Sequence, residues 1–328
     1  LLTDPYPTYR RLRDEDPLHP ARIGPSDVWV LSRFEDVARV LQDHSALTQP
    51  PGGHPPEVFG DGPAARMWRN SMSLADPAAH RRLRRLVGKV FSPRIMKEQR
   101  RRIERTVDEA LAALVPRREM EVMDEFAKAV PVQVICGMLG IPPADWDMLT
   151  SWTPDMIRMF APDANDTDEV RLCQQACQNF FDYFGSVIDD RRKRPGDDVL
   201  SGLIAVREAG EGLTDDELIV TARSLLTAGF ETTMALIGNG VLAMLQFPGE
   251  MERLAADDRL LTNAIEEFLR WEAPVHTQIR HPTVDFELYG TTINAGEPVW
   301  VLMGSANRDE RRFIDPASVD VGRTEIAH

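Results

Sequence analysis

A mainly helical fold with a small strand-rich part late in the chain follows from three observations. Apolar residues recur at helical spacing over most of the 328 positions. One stretch, from Thr214 to Phe247, meets no proline until Pro248. At about 1.5 Å per residue, that is long enough to cross a whole domain. After residue 272 the texture changes to short β-branched and aromatic runs, punctuated by Gly290 and Ala295-Gly296.

Taken in order, a first helix is expected from about Pro5 to Asp16, followed by a short strand over Val28–Leu31. Ser32 and Glu35 have the Ser-x-x-Glu spacing of a capping box, in which each side chain satisfies the other residue's backbone N–H. A helix is therefore expected through Val37, Val40 and Leu41. Residues 49–63 hold Pro50, Pro51, Gly52, Gly53, Pro55, Pro56, Gly60, Gly62 and Pro63 and read as a loop. A loop that long in a compact domain is often functional. Helical periodicity resumes over 77–91, 94–114, 122–139, 145–160 and 167–193. Thr214 and Glu217 form a second capping box at the start of the long helix. Residues 259–272 give a further helix, and Val284–Tyr289 and Pro298–Met303 the late strands. With no internal repeat and no low-complexity linker, the helices are expected to share one body, a single domain over 1–328.

Composition narrows the function classes. The chain is 43% hydrophobic and 27% charged, as expected for a globular protein and not for a disordered or collagen-like one. No run of about 18 apolar residues is present, so no membrane helix is expected. The N-terminus lacks a signal-peptide pattern. The net charge of -14 argues against nucleic acid as a partner. Three cysteines, Cys136, Cys173 and Cys177, are too few and too odd in number for a disulfide framework. A reducing cytoplasm suits them. Cys173 and Cys177 are four apart but have no further His or Cys nearby, so no metal ligand is assigned.

The middle of the long helix reads Leu225-Leu226-Thr227-Ala228-Gly229-Phe230-Glu231-Thr232-Thr233. A glycine inside a helix costs about 1 kcal/mol relative to alanine. The Thr232 hydroxyl can bond back to the Ala228 carbonyl and bend the helix. Two readings are open. The small residues permit close helix–helix contact, or they open room beside a carboxylate and a hydroxyl, the pair that proton delivery to a buried oxygen requires.

Further segments carry a resemblance. Asp76-Pro77-Ala78-Ala79-His80-Arg81-Arg82-Leu83-Arg84 has the form Asp-Pro-x-x-His-x-x-x-Arg, and Ala228-Gly229-Phe230-Glu231-Thr232-Thr233 the form Ala-Gly-x-Glu/Asp-Thr-Thr. Glu267-Phe268-Leu269-Arg270 is a Glu-x-x-Arg. Arg280, Asp285, Gly290, Ala295-Gly296-Glu297, Asn307-Arg308-Asp309 and Asp320-Val321-Gly322-Arg323 follow in order, and Asp4-Pro5-Tyr6-Pro7 and Trp29-Val30-Leu31 open the series. Over essentially its whole length the chain resembles the cytochrome P-450 family, the haem-thiolate monooxygenases, in its bacterial soluble form. The resemblance implies that family's helical fold with one long central helix.

It also implies the following roles. Haem would be the cofactor. His80 and Arg84 would bind a haem propionate and Arg280 would be a third propionate ligand, while Ala228 and Gly229 would lie against the haem. Glu231 and Thr232 would be the acid–alcohol pair that relays protons to dioxygen at the iron. Glu267, Arg270 and Arg323 would form a structural network bracing the segment that leads to the haem. The substrate pocket would be lined by roughly Pro63–Leu74, Leu226–Thr232 and Val275–Ile279. Phe230 would shape it or merely pack, and His276 is as readily a satisfied surface residue.

On a helical wheel Leu83, Leu86, Val87 and Val90 make one apolar face, His80 and Arg84 edge it, and Arg81, Arg82, Arg85 and Lys89 point to water. With Arg94, Lys97, Arg100, Arg101 and Arg102, against Glu98 alone, they form a basic stripe in an acidic protein. An acidic ferredoxin docking there would deliver electrons from NAD(P)H through a reductase, since no Rossmann glycine pattern is present. Partners are otherwise a small apolar or natural-product-like substrate and O₂, and the protein is expected as a monomer.

The family's iron ligand is a cysteine in a loop of the type Phe-Gly-x-Gly-x-His-x-Cys-x-Gly. The sequence ends at Glu325-Ile326-Ala327-His328, where that loop would begin. On this reading the domain is incomplete at its C-terminus and the ligand belongs after His328. Other readings are an inactive fragment or helical ligand-binding protein, and a peroxide-driven peroxygenase of the same fold. Glu231-Thr232 speaks against the last, because peroxide-driven relatives typically lack that pair.

Overall fold

Capping residues set many of the element boundaries in the computed structural model, which describes residues 4–23, 26–43, 46–47, 54–91, 93–160, 162–208 and 212–328. Helix α1 (Tyr6–Glu15), strands β1 (Leu18–Ile23) and β2 (Ser26–Leu31), helix α2 (Phe34–Gln42) and the short strand β3 (Ala46–Leu47) come first. Then follow helices α3 (Pro63–Arg69), α4 (Pro77–Gly88), α5 (Pro93–Leu114), α6 (Ala129–Leu139), α7 (Trp146–Ile157), α8 (Thr167–Lys193) and α9 (Val199–Glu208). The long helix is α10 (Asp215–Gln246), succeeded by α11 (Pro248–Ala256) and α12 (Leu261–Trp271). Strands β4 (Thr277–Pro282), β5 (Phe286–Leu288), β6 (Thr291–Ile293) and β7 (Val299–Leu302) and the single turn α13 (Met303–Ala306) complete the order. The expected Pro/Gly-rich loop falls in part, at residues 49–53, outside the described residues. Its later portion is not all loop, because Pro63 sits in the first turn of α3, where the missing N–H is harmless.

The chain forms two compact units, one of Gly53–Glu231 and one of Leu1–Gly52 with Thr232–His328. The first is helical. Asp166 starts α8 by accepting the N–H groups of Asp168 (3.1 Å) and Glu169 (2.9 Å). The apolar face Cys173, Ala176, Cys177, Phe180 and Phe184 of α8 is buried. It joins one cluster with Leu149 and Met156 of α7, Leu203 of α9 and Leu226 of α10. The α10 capping box forms as read, with Thr214 N–H on Glu217 Oε2 at 2.8 Å and Glu217 N–H on Thr214 Oγ1 at 3.2 Å. Contrary to the expectation from apolar runs, α10 is long and apolar enough to cross a membrane. Leu218, Val220, Ala222, Leu226 and Phe230 nevertheless lie in the protein's own core.

The second unit holds a five-stranded sheet in the order β1-β2-β7-β4-β3, with β2 and β7 parallel. Leu31, Val299 and Val301 pack from it onto Val37 and Val40 of α2. The Ser32–Glu35 capping box does not form. Ser32 is buried, its carbonyl accepts the Ser305 hydroxyl at 2.8 Å, and α2 begins only at Phe34. The cap comes instead from Asp309, whose carboxylate accepts the Phe34 N–H at 2.9 Å. Strands β5 and β6 are joined by Tyr289 and Gly290, both at positive φ (53° and 76°), as a tight two-residue hairpin turn demands. Tyr289 is held in that unfavourable region by its hydroxyl, which donates to Asp36 at 2.7 Å.

Candidate functional site

Helix α10 places Thr232 in the wall of a cavity of about 550 Å³. Phe34, Leu269, Ala273, Val275 and Met303 contribute to the same wall, which is mostly apolar. Of the expected lining, Thr232 and Val275 are present. Phe34 and Met303 were not anticipated, because they reach the cavity through sheet and helix packing that sequence spacing does not reveal. A mostly apolar space with Thr232, Gln42, Asn307 and His328 as its polar members suits a hydrophobic ligand with a few polar contacts.

Glu231 precedes Thr232 on α10. Burial pushes its carboxyl up from 4.5 to about 6. No charged or hydrogen-bonding neighbour contributes to that shift, so desolvation acts alone. A carboxyl poised near neutrality can both take and release a proton. The shift has a consequence for stability. The folded chain binds this proton more tightly than the unfolded chain, so stability falls as pH rises from about 4.5 through about 6 and is level above that. At about 1.4 kcal/mol per pH unit the loss is at most about 2 kcal/mol, and solvent screening of a half-buried group reduces it. Glu231→Gln is therefore expected to stabilise the chain by roughly 1 kcal/mol at pH 8 and not at pH 4. Urea midpoints at the two pH values check this, and equal shifts at both would refute the burial argument.

Gly229 has a packing task. A Cβ there would come within 2.8 Å of Ile135 Cγ1 on α6, so the glycine lets α6 approach α10 closely. Phe230 is buried in the helical core. Ala228, Thr232 and Thr233, by contrast, have exposed side chains in the middle of the helix. Sequence reasoning offered helix contact or a functional opening as alternatives, and Gly229 makes the helix contact.

On α4, Asp76 caps the first turn through the N–H groups of Ala78 and Ala79, each at 2.8 Å. Leu83, Leu86, Val87 and Val90 are buried as the wheel requires. His80 is half-buried and Arg84 exposed. Arg81, Arg85 and Lys89 are exposed, but Arg82 corrects the wheel. It pairs with Glu217 of α10, a partner supplied by tertiary packing. In the second unit, Arg280 on β4 is half-buried and burial pulls its guanidinium below the ordinary arginine range. Its hydrogen bonds go to Gln278 Oε1 (3.1 Å) and the Ile279 carbonyl (2.8 Å), with no carboxylate partner among the described residues. A desolvated arginine without an acid fits the carboxylates of a haem. His80 and Arg84, one turn apart on α4, are donors of the same chemistry.

The Glu-x-x-Arg pair is fully buried. Glu267 accepts Arg270 Nε at 2.7 Å and Nη2 at 2.8 Å, and also Arg323 Nε at 3.0 Å through both oxygens. Arg270 reaches on to the carbonyls of Asn307, Pro316 and Ser318. Cys136, Cys173 and Cys177 lie buried in the helical core as free thiols, and burial pushes Cys136 up to about 12. A buried thiol of that kind is an inert core residue, unsuited to ligating iron. His276 is satisfied by Glu272 and Tyr9.

The cytochrome P450 family profile matches residues 146–324. Vitamin D(3) 25-hydroxylase of Pseudonocardia autotrophica is 37% identical over 98% of this chain and 77% of its own. Cytochrome P450 monooxygenase PikC of Streptomyces venezuelae is 34% identical over 99% of this chain and 76% of its own. Among solved structures, a myxobacterial cytochrome P450 in complex with myristic acid superimposes with a TM-score of 0.88 at 36% identity, covering 99% of this chain and 81% of that one.

Proposed function

The chain belongs to the cytochrome P450 family, and we propose on that premise that it serves the insertion of one oxygen atom from O₂ into a small apolar or natural-product substrate. The observation that carries the reading is the Thr232 hydroxyl in the wall of an apolar cavity of about 550 Å³, preceded on α10 by a carboxyl poised at about 6. Haem, when bound, supplies the iron at which dioxygen is reduced. His80, Arg84 and Arg280 would hold its propionates by charge-assisted hydrogen bonds. Ala228, small and exposed, would let the group lie close to α10, whereas the space beside Gly229 is taken by Ile135 of α6. Thr232 would hold a hydrogen bond at the site of oxygen reduction, and Glu231 would exchange protons with solvent. Glu231-Thr232 also disfavours a peroxide-driven reading, which needs no such relay.

The test supplies the ligand loop. With a relative's cysteine-loop segment fused after His328 and haem reconstituted, a carbon monoxide difference spectrum is expected to show the thiolate band. The unfused chain is expected to lack it, because its three cysteines are all buried in the helical core. Absence of haem uptake by the fusion would overturn the reading.

Electrons would arrive from an acidic ferredoxin at Arg81, Arg85 and Lys89 of α4 and Lys97 and Arg101 of α5, all exposed. Arg82 belongs to an internal pair with Glu217, and the side chains of Arg94 and Glu98 lie outside the described residues. Reversing Arg81 and Arg85 to Glu is expected to slow reduction about tenfold at low salt and to flatten its dependence on ionic strength. Stopped-flow reduction across a salt series reads both, and an unchanged slope would remove this surface as the docking face. Three free, buried cysteines suit the reducing cytoplasm of a bacterium.

A further inference from the structure

We propose that Glu272 and His276 are a positioning pair for the oxygenation, holding the Ala273-Pro274-Val275 wall of the Thr232 cavity and so selecting which substrate carbon is presented. The inference rests on reading that cavity as the substrate site. The three lining residues Ala273, Pro274 and Val275 are bracketed by the pair, and His276 Nε2 lies 3.0 Å from Glu272 Oε1. A carboxylate accepts only, so Nε2 carries the proton. Nδ1 faces the Tyr9 hydroxyl at 3.4 Å. Tyr9 donates to it when the ring is neutral and accepts from it when the ring is protonated, so both states keep the bond.

The second oxygen of Glu272 accepts the Tyr6 hydroxyl at 2.8 Å and Arg308 Nη2 at 3.3 Å. Arg308 in turn lies over the Tyr6 ring at 3.4 Å from its centroid. Burial alone would raise the Glu272 carboxyl, but His276, Tyr6 and Arg308 outweigh it and hold it below the usual range. The carboxylate is therefore charged at neutral pH and its hydrogen bonds are the strong kind. The backbone is pinned at the same two residues. Asn239 of α10 donates to the Glu272 carbonyl at 2.9 Å, and the Gly304 N–H donates to the His276 carbonyl at 3.1 Å. A Cβ on Gly304 would come within 2.6 Å of His276 Nδ1, so α13 leaves the imidazole one place to sit. The side chains of Ala273 and Val275 have no polar group to hold them against the cavity. The pair at their ends supplies that hold, and α1 carries it back to the start of the chain.

The experiment uses the haem-loaded fusion with myristic acid as the probe, because its many similar methylene groups make the product isomers a ruler for the wall. His276→Leu is expected to move the distribution of hydroxylated positions and raise KM at least threefold. His276→Gln, which still donates to Glu272, is expected to restore the distribution, and Glu272→Gln to resemble His276→Leu. Hydrogen exchange of the Gly304 amide, read without haem, is expected to quicken at least tenfold in His276→Leu while the urea midpoint stays put. An unchanged isomer distribution in an active His276→Leu protein, or unchanged exchange, overturns the positioning role alone. Failure of the unsubstituted fusion to hydroxylate at all overturns the functional reading beneath it.

Discussion

Glu267→Ala is expected to destabilise the chain by about 3–5 kcal/mol, the scale for stripping one partner from a buried ion pair. Against total stabilities of about 5–15 kcal/mol, that is enough to keep much of the protein from folding. The size follows from what is left behind. Glu267 Oε1 accepts three donors, Arg270 Nη2 (2.8 Å), Arg323 Nε (3.0 Å) and the Asp320 N–H (2.9 Å), while Oε2 accepts Arg270 Nε (2.7 Å) and Arg323 Nε (3.0 Å). Arg270 is 1% exposed and the Arg323 side chain 9%. Without the carboxylate, two largely buried guanidinium groups lose the counter-charge they share. Glu267→Gln is expected to be nearly as harmful, because its amide nitrogen turns donors toward donors. An apolar replacement of Glu267 and Arg270 together would not rescue it, since the Asn307, Pro316 and Ser318 carbonyls would lose their donor. Urea unfolding measures the loss, and a change below about 1 kcal/mol, the range of exposed pairs, would show that the network is not holding the segment 307–323.

That network also marks where sequence reading reached and where it stopped. Glu267 and Arg270 are an i,i+3 pair, which on a surface helix contributes only a few tenths of a kcal/mol. Sequence spacing alone therefore ranks it low. The family resemblance brought in Arg323, and burial raised the stakes. The two capping boxes show the same limit. Thr214 leaves a loop and its box with Glu217 forms. Ser32 directly follows strand β2 with its backbone already engaged, so Asp309, remote in sequence, caps α2 instead. The wheel placed the buried face of α4 correctly, yet it could not see that α10 would bring Glu217 to Arg82. Helices α3 and α11 each begin with a proline in the first turn, but in sequence Pro63 reads as the end of a loop and Pro248 only as the stop of the long helix. Glu272 and His276 are four apart, but across a bend after α12, where helical pairing rules do not apply. Local chemistry was legible, and pairings made by packing were not.

Thr232→Ala carries the largest expected effect on chemistry. In the haem-loaded fusion it is expected to lower product formed per reducing equivalent about tenfold or more, with hydrogen peroxide released in its place, since positioned proton transfer contributes about 10²–10⁴-fold to rates. Substrate affinity should change little, because the substitution removes one small polar contact from a wall that also includes Phe34, Leu269, Ala273, Val275 and Met303. Thr232→Ser, which restores the hydroxyl without the methyl group, should recover most of the coupling, and a merely steric role for Thr232 would not allow that. Glu231 gives an independent handle. Its carboxyl at about 6 means that coupling in the unsubstituted protein should depend on pH around that value. Glu231→Gln should flatten the dependence while leaving the Thr232 hydroxyl in place. If Thr232→Ala keeps product and reductant in step, the hydroxyl is not part of the relay and the pair must be read as packing. Gly229 already shows that packing is the task of its immediate neighbourhood on α10. The contrast between Thr232→Ala and Thr232→Ser is what separates a helix bent to carry protons from one thinned to admit α6.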